Sequence, residues 1–213
     1  MKKITLLMIF CLVGIVAFAQ NDPQAKQVLD AMSAKYKKIP AYSADITSSM
    51  VNEVDGINEE FGGKITVKGN MYKLEMDDQV VINNGATVWT YLPDVNVVNI
   101  DNYNPDEDEI SPSKIYDAYK KGYKYLFIGN EKDNTTPVSV IDLVPNNKEA
   151  QFFKIRLYIA EKDQSLTSWT MFDKSGNKYK YSIKNFNGKI QPQEATFLFD
   201  PAKYPGVEVI DLR

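Results

Sequence analysis

The chain has 213 residues, of which 44% are hydrophobic and 25% charged, with 25 Lys and Arg against 28 Asp and Glu. It contains no histidine and one cysteine. Catalysis by Ser-His-Asp or Cys-His groups is therefore excluded, as are zinc sites built from His and Cys and any disulfide within the chain. The mildly acidic balance argues against nucleic acid and against anchoring on anionic lipid, because both require clustered Lys and Arg.

The first nineteen residues have the organisation of a secretory signal peptide. Two lysines precede an apolar core over residues 4–16, and Ala17-Phe18-Ala19 before Gln20 is a small-x-small cleavage site. Cys11 follows a phenylalanine, whereas lipid attachment requires a small residue there. We therefore expect cleavage after Ala19 and an exported, soluble chain. Residues 20–213 are expected to form one domain, because no linker, repeat or composition break divides them.

A helix and a long strand open the mature chain. Asp22 is a favourable N-cap and Pro23 suits the first helical position, so a helix is predicted to run until just before Pro40. Its apolar residues recur at helical spacing: Ala25, Val28, Leu29, Met32 and Tyr36. Residues 41–54 then alternate with a period of two, which predicts a strand with Ile46 and Met50 on its apolar face.

Five short strands follow, separated by turn dipeptides. They are predicted over residues 64–68, 71–76, 79–83, 87–92 and 95–100. The strongest turn signal is Asn84-Gly85, which favours a type I′ hairpin. The large apolar side chains of this meander are expected on one face: Tyr72, Leu74, Met76, Trp89 and Tyr91. Two interpretations of these side chains remain open: they fill a solid core, or they line a ligand cavity.

An acidic loop and a second helix interrupt the strands. Residues 106–109 are all acidic and could bind calcium or form a solvated loop, and they lack the spacing of a calcium-binding loop. A helix is predicted over residues 111–121, with Ser111 as N-cap and Ile110 and Ile115 as a hydrophobic staple. Ile115, Tyr116 and Tyr119 form its apolar stripe. With Ile110, these residues are expected to act as a lid or as plain packing.

Strands resume after this helix. They are predicted over residues 123–129, 138–144, 152–160, 166–172, 178–185 and 194–199, with a last extended piece at 207–212. The fold class is therefore mainly β, with about eleven strands in a strongly curved antiparallel sheet. Because sheets of more than about ten strands curl or close, a half-open β-barrel with helices covering its concave side is expected.

Three stretches resemble the LolA-like periplasmic lipoprotein carriers. They are Gly63-Lys64-Ile65-Thr66-Val67-Lys68, Tyr72-Lys73-Leu74-Glu75-Met76 and the run from Ile82 to Pro93 that contains Gly85, Trp89 and Tyr91. The closing segment, residues 197–209, is also similar. The known carriers have an arginine followed by proline just after the first of these strands. Gly69-Asn70 stands there in this chain with Lys68 as the nearest basic residue, so the role of that arginine is not transferred.

The resemblance implies a periplasmic carrier that holds the acyl chains of lipoproteins in an apolar cavity. Such a carrier takes lipoprotein from an inner-membrane release complex and passes it to an outer-membrane acceptor. It implies acylated lipoproteins or lipids as partners, no cofactor and no metal, and we expect a monomer. Nine side chains are predicted to point into the cavity: Ile46, Met50, Tyr72, Leu74, Met76, Trp89, Tyr91, Ile155 and Leu157.

Two other functions compete with the carrier. An envelope lipid-sensing or binding module would use the same cradle without shuttling its ligand. A hydrolase based on two carboxylates is the third hypothesis, but no pattern in the chain fixes two carboxylates at a shared cleft. Burial of acyl chains favours the carrier, since each CH₂ group removed from water contributes ~0.8 kcal/mol.

Overall fold

The computed structural model describes residues 22–104 and 114–213. One α-helix, α1, spans Pro23–Tyr36. The strands are β1 (Ala41–Asn52), β2 (Ile57–Lys68), β3 (Met71–Met76), β4 (Val80–Asn83), β5 (Thr87–Leu92), β6 (Val97–Asn102), β7 (Tyr123–Asp133), β8 (Thr136–Pro145), β9 (Phe152–Ala160), β10 (Leu166–Asp173), β11 (Lys178–Asn187) and β12 (Glu208–Asp211). The predicted signal peptide and Ile110 lie outside the described residues.

All twelve strands belong to one sheet, in the order β12-β6-β5-β4-β3-β2-β1-β11-β10-β9-β8-β7. Two meanders, β1–β6 and β7–β11, are joined where β1 pairs with β11. Neighbouring strands are antiparallel except that β12 lies parallel to β6. Because β12 and β7 are edges, the sheet is open. The prediction of a mainly β, curved and incomplete barrel is confirmed.

Helix α1 is anchored at its start to the edge strand β7. The Asp22 carboxylate accepts hydrogen bonds from the backbone N–H groups of Gln24 and Ala25, as expected of an N-cap. It also accepts one from the Phe127 N–H (3.2 Å), and the Asp22 N–H donates to the Tyr125 carbonyl oxygen (3.3 Å). One carboxylate therefore caps the helix and fixes it beside the sheet edge.

One face of the sheet, here called the inner face, carries the main core. It bears Ile65 of β2, Leu143 of β8 and Leu157 of β9, and the buried stripe of α1 packs on it. The stripe comprises Ala25, Leu29, Met32 and Tyr36. The other face is called the outer face.

The outer face of β4, β5 and β6 carries a smaller apolar cluster. Tyr91 contacts Phe199 and Tyr204, with ring centroids 6.1 Å and 4.3 Å away, and these two rings stack at 4.8 Å. Phe197 beside them is fully buried. The prediction of a strand over residues 194–199 is wrong, because Glu194–Phe197 is a 3-10 helix of the segment that covers this cluster.

Two other local predictions are corrected. In the turn between β4 and β5 only Gly85 has a positive φ, so the type I′ turn is not formed. The Asn84 side chain instead accepts hydrogen bonds from the N–H groups of Ala86 and Thr87. In the described part of the predicted helix over residues 111–121, turns lead into a 3-10 helix at Ala118–Lys120 rather than an α-helix. Within the described residues, no helix has the length and hydropathy needed to cross a bilayer.

Candidate functional site: an apolar cavity on the inner face

A cavity of 340 Å³ opens on the inner face of the sheet. Its walls come from both meanders, and its lining is mostly apolar. The lining residues are Ile46, Ser48, Phe61, Ile65, Leu74, Met76, Asp78, Gln79, Ile115, Phe152, Trp169, Met171 and Tyr181. A volume of this size is at the lower end of the range for small-molecule sites, which is roughly 300–1,000 Å³.

The first wall is built by β2 and β3. Ile65 pairs with Leu74, and Gly63 pairs with Met76, so these side chains share the inner face. A Cβ atom at Gly63 would lie 2.5 Å from the Met76 Sδ atom and 2.3 Å from the Glu75 carbonyl oxygen. Because real Cβ atoms do not approach other atoms so closely, glycine at this position allows Met76 to form part of the wall.

The second wall is built by β10 and β11. Trp169 pairs with Tyr181 across these strands, and their rings stack with centroids 4.9 Å apart and planes 14° apart. Met171 lies two residues further along β10, on the same face as Trp169. A stacked aromatic pair gives this side a rigid surface, while the methionine can adapt to different shapes.

A third side is closed by the segment over residues 114–120. Ile115 lines the cavity and is 2% exposed. Tyr116 is buried and stacks on Tyr36 of α1, and Tyr119 donates a hydrogen bond of 2.5 Å to the Asp30 carboxylate. Burial raises the pKa of Tyr36 to about 12 and raises that of Tyr116 well above its usual value.

Asp117 ties the same segment to α1. Its carboxylate accepts hydrogen bonds from the Lys120 ammonium group (2.5 Å) and the Ser33 hydroxyl, and the Lys37 ammonium group lies 3.5 Å away. Burial works to raise the pKa of Asp117, but the hydrogen bonds from Lys120 and Ser33 outweigh it and hold that pKa below its usual value. The carboxylate is therefore ionised at neutral pH and joins the segment to the helix.

Some of the predicted cavity residues meet at the cavity, and others do not. Ile46, Leu74 and Met76 line it. Ile155 and Leu157 lie on the inner face but are fully buried in the core. Two further side chains share the inner face without lining the cavity: Tyr72 and Met50.

Trp89 and Tyr91 lie on the outer face, so the expectation that they point inward is wrong. Leu74 pairs with Val81, and Val81 pairs with Thr90, which puts Thr90 on the inner face and its two neighbours on the other. Alternation along a strand shows which residues share a face, but the pairing register decides which face it is.

Sequence reasoning does not assign Phe61, Phe152, Trp169, Met171 or Tyr181 to the site. The alternation in residues 166–172 already predicts that Trp169 and Met171 share a face. What places that face opposite Leu74 is the β1–β11 pairing, which joins residues more than a hundred positions apart.

The chemistry of the lining suits an uncharged apolar group. Asp78 is the only acidic residue among the described lining residues, and no Lys or Arg is among them. In the part of the chain that the structure describes, no cluster of His, Cys, Asp or Glu could hold a metal ion. Lys68, the basic residue nearest to Gly69-Asn70, is away from the cavity and forms an ion pair with Glu194.

Comparison with known structures supports the fold. An uncharacterised conserved protein from Thermus thermophilus matches with a TM-score of 0.59 at 13% identity, over 88% of this chain and 99% of that one. The lipoprotein LppX from Mycobacterium tuberculosis matches with a TM-score of 0.51 at 13% identity, over 81% of this chain and all of that one. No curated protein matches the chain.

Comparison with protein families gives a match over most of the chain. Residues 57–200 match the family described as outer membrane lipoprotein carrier protein LolA. This stretch covers more than half of the chain and runs from β2 past β11. It contains every described lining residue of the cavity except Ile46 and Ser48 of β1. The chain therefore belongs to the LolA family of outer membrane lipoprotein carrier proteins.

Proposed function

We propose that this protein is a periplasmic carrier that shields the acyl chains of lipoproteins in its cavity and carries them from the inner to the outer membrane. The observation that carries the proposal is an apolar cavity whose walls include Leu74 and Met76, both of them only partly buried. Filling the cavity with an acyl chain removes both these side chains and the ligand from water, at ~0.8 kcal/mol per buried CH₂ group.

The partners of the proposed carrier follow from its family and its leader. Cleavage after Ala19 would release the soluble protein into the periplasm. An inner-membrane release complex would supply acylated lipoprotein, and an outer-membrane acceptor would receive it. Among the described lining residues Asp78 is the one carboxylate, so the lining gives the two-carboxylate hydrolase no support.

A second function uses the same cavity without transfer. Gly69-Asn70 stands where the known carriers have an arginine, and Lys68 is engaged with Glu194. This departure favours an envelope module that binds or senses lipid and retains it. The two functions share the ligand and differ in its release.

The test combines isolation of the ligand with a transfer assay. The protein is purified from the envelope without detergent and examined by native mass spectrometry, where a co-purifying acylated lipoprotein is expected. It is then loaded with fluorescently labelled lipoprotein and mixed with outer-membrane vesicles. Transfer to the vesicles supports the carrier, retention supports the binding module, and an empty protein that captures no lipoprotein contradicts both.

A matched pair of variants links the result to the cavity. Leu74→Arg places a charge in the wall and is expected to abolish capture of the lipoprotein. Leu198→Arg places the same charge on the half-exposed C-terminal segment, away from the cavity, and is expected to leave capture unchanged. Equal capture by the two variants would show that the ligand binds elsewhere.

A further inference from the structure

The cavity wall contains a buried hydrogen-bond donor with no acceptor. Trp169 is 8% exposed, and its indole Nε1 atom has no partner among residues 22–104 and 114–213. Two other buried side-chain atoms in these ranges share this property, Asn83 Nδ2 and Tyr103 Oη, and neither belongs to a cavity-lining residue. The unsatisfied donor and the cavity therefore coincide only at Trp169.

An unpaired indole N–H is unusual at this depth. The tryptophan side chain can donate one hydrogen bond and accept none, and a buried one normally finds a partner. A donor that is removed from water without a partner carries the full cost of its desolvation. Any acceptor that reaches Trp169 Nε1 relieves this cost.

The polar side chains of the lining do not supply that acceptor. Tyr181 and Ser48 share a hydrogen bond with each other. Asp78 and Gln79 lie between β3 and β4, whereas Trp169 is on β10, four strands away from β3 in the sheet. At roughly 4.8 Å between neighbouring strands, the two sites are on opposite walls.

We propose that Trp169 Nε1 donates a hydrogen bond to a carbonyl oxygen of the bound ligand, so that the cavity takes acyl chains in ester or amide linkage. This inference rests on the proposed function and specifies its ligand. A plain hydrocarbon would leave the donor unsatisfied. A free fatty acid would bury its carboxylate in a lining whose described residues include no Lys or Arg to pair with it.

The wall can adapt to admit the carbonyl group. The Nε1 atom is buried, and Met171, two residues further along β10, also lines the cavity. Met76 forms part of the opposite wall. Methionine side chains change rotamer readily, so this part of the wall can adapt to an entering chain.

The experiment uses the position of the two tryptophans. The chain contains only Trp89 and Trp169, and Trp89 lies on the outer face. In the Trp89→Phe variant, Trp169 is the sole indole and its emission reports on the cavity. Methyl laurate, tridecane and laurate at pH 8 are titrated separately, and a fluorescent acyl-ester probe gives competition affinities for variants that lack Trp169.

Methyl laurate is expected to bind about threefold to tenfold more tightly than tridecane, the range that one net hydrogen bond provides, and laurate is expected to bind least. In Trp169→Phe the preference for ester over hydrocarbon should fall to about one. An ultraviolet Raman band that is sensitive to indole hydrogen bonding should shift with methyl laurate and remain unshifted with tridecane. This readout needs no substitution at Trp169, so it stands even if Trp169→Phe folds poorly.

Two outcomes overturn the inference in different ways. Equal affinity for ester and hydrocarbon, with no Raman shift, would exclude the hydrogen bond and leave the carrier function intact. No binding of any of the three compounds, together with no capture of lipoprotein, would remove the proposed function and this inference with it.

Discussion

Gly63 on β2 lies directly against Met76 on β3, and the Met76 Sδ atom occupies the space that a side chain at Gly63 would need. The adjacent glycine, Gly62, is different: a Cβ atom there would have its nearest neighbour, the Asp77 carboxylate, at an ordinary 3.5 Å. Neighbouring glycines on one strand thus differ in function, since only Gly63 shapes the cavity wall.

Gly63→Ala is expected to lower the free energy of unfolding by about 3 kcal/mol or more, because the new methyl group meets the Glu75 carbonyl oxygen of the backbone as well as Met76 Sδ. It should also weaken binding of a fluorescent acyl-ester probe, since Met76 must move into the cavity. Urea denaturation and probe titration measure the two effects. Gly62→Ala is the control and should change neither the stability nor the probe affinity by much. If both variants lose stability and affinity to a similar extent, the cause is reduced flexibility of the strand and not contact with the cavity wall.

Leu74→Ala and Leu157→Ala distinguish cavity wall from solid core. Leu157 is fully buried, so its truncation should cost ~2–5 kcal/mol through lost burial and a new void. Leu74 faces a void that already exists, so its truncation should cost less stability and reduce probe affinity more. Denaturation of the lipid-free protein and probe displacement are measured on both. A large stability loss with unchanged affinity in Leu74→Ala would contradict the cavity assignment.

Ile115→Ala tests the segment that closes the cavity. Ile115 contributes apolar surface to the lining, and losing contact with roughly two CH₂ groups of ligand should weaken probe binding about tenfold. Tyr119→Phe removes the hydrogen bond to Asp30 without altering the lining and should bind the probe normally. If both variants bind alike, the segment serves only for packing.

The lowered pKa of Asp117 predicts that the stability of the protein depends on pH through the same segment. Its folded-state pKa is lowered, so its ionised form stabilises the folded protein above the usual Asp pKa of about 3.9. This contribution is lost as the pH falls through the lowered folded-state value. Asp117→Asn should therefore lose less stability than the wild-type protein between pH 5 and pH 2, measured by thermal denaturation. Parallel pH profiles would show that the carboxylate contributes nothing to the attachment.

Export predicts the start of the mature chain. If the leader is cleaved after Ala19, the purified protein should begin at Gln20 and carry no covalent lipid, as measured by intact mass and N-terminal sequencing. An acylated chain that begins at Cys11 would contradict the soluble carrier.

Local patterns predict most of the fold. The bounds of β3, β5 and β9 match the predicted strands, because alternation and turn residues act over a few positions. Alternation alone puts Trp89 on the wrong face, because the phase between strands depends on the pairing register. Trp169 escapes prediction as a cavity residue because its place opposite Leu74 depends on pairing between β1 and β11, and no local signal encodes that pairing.

The β1–β11 pairing has a consequence for how the protein matures. Each meander can form from contacts between successive strands, but neither encloses the cavity alone, since Leu74 belongs to one and Trp169 to the other. Pairing between segments so distant in sequence is slow, because closing the long intervening loop costs conformational entropy before the new contacts compensate for it. Competence to bind an acyl chain should consequently arise last during folding, which would keep a newly made chain from capturing lipid before its sheet is complete.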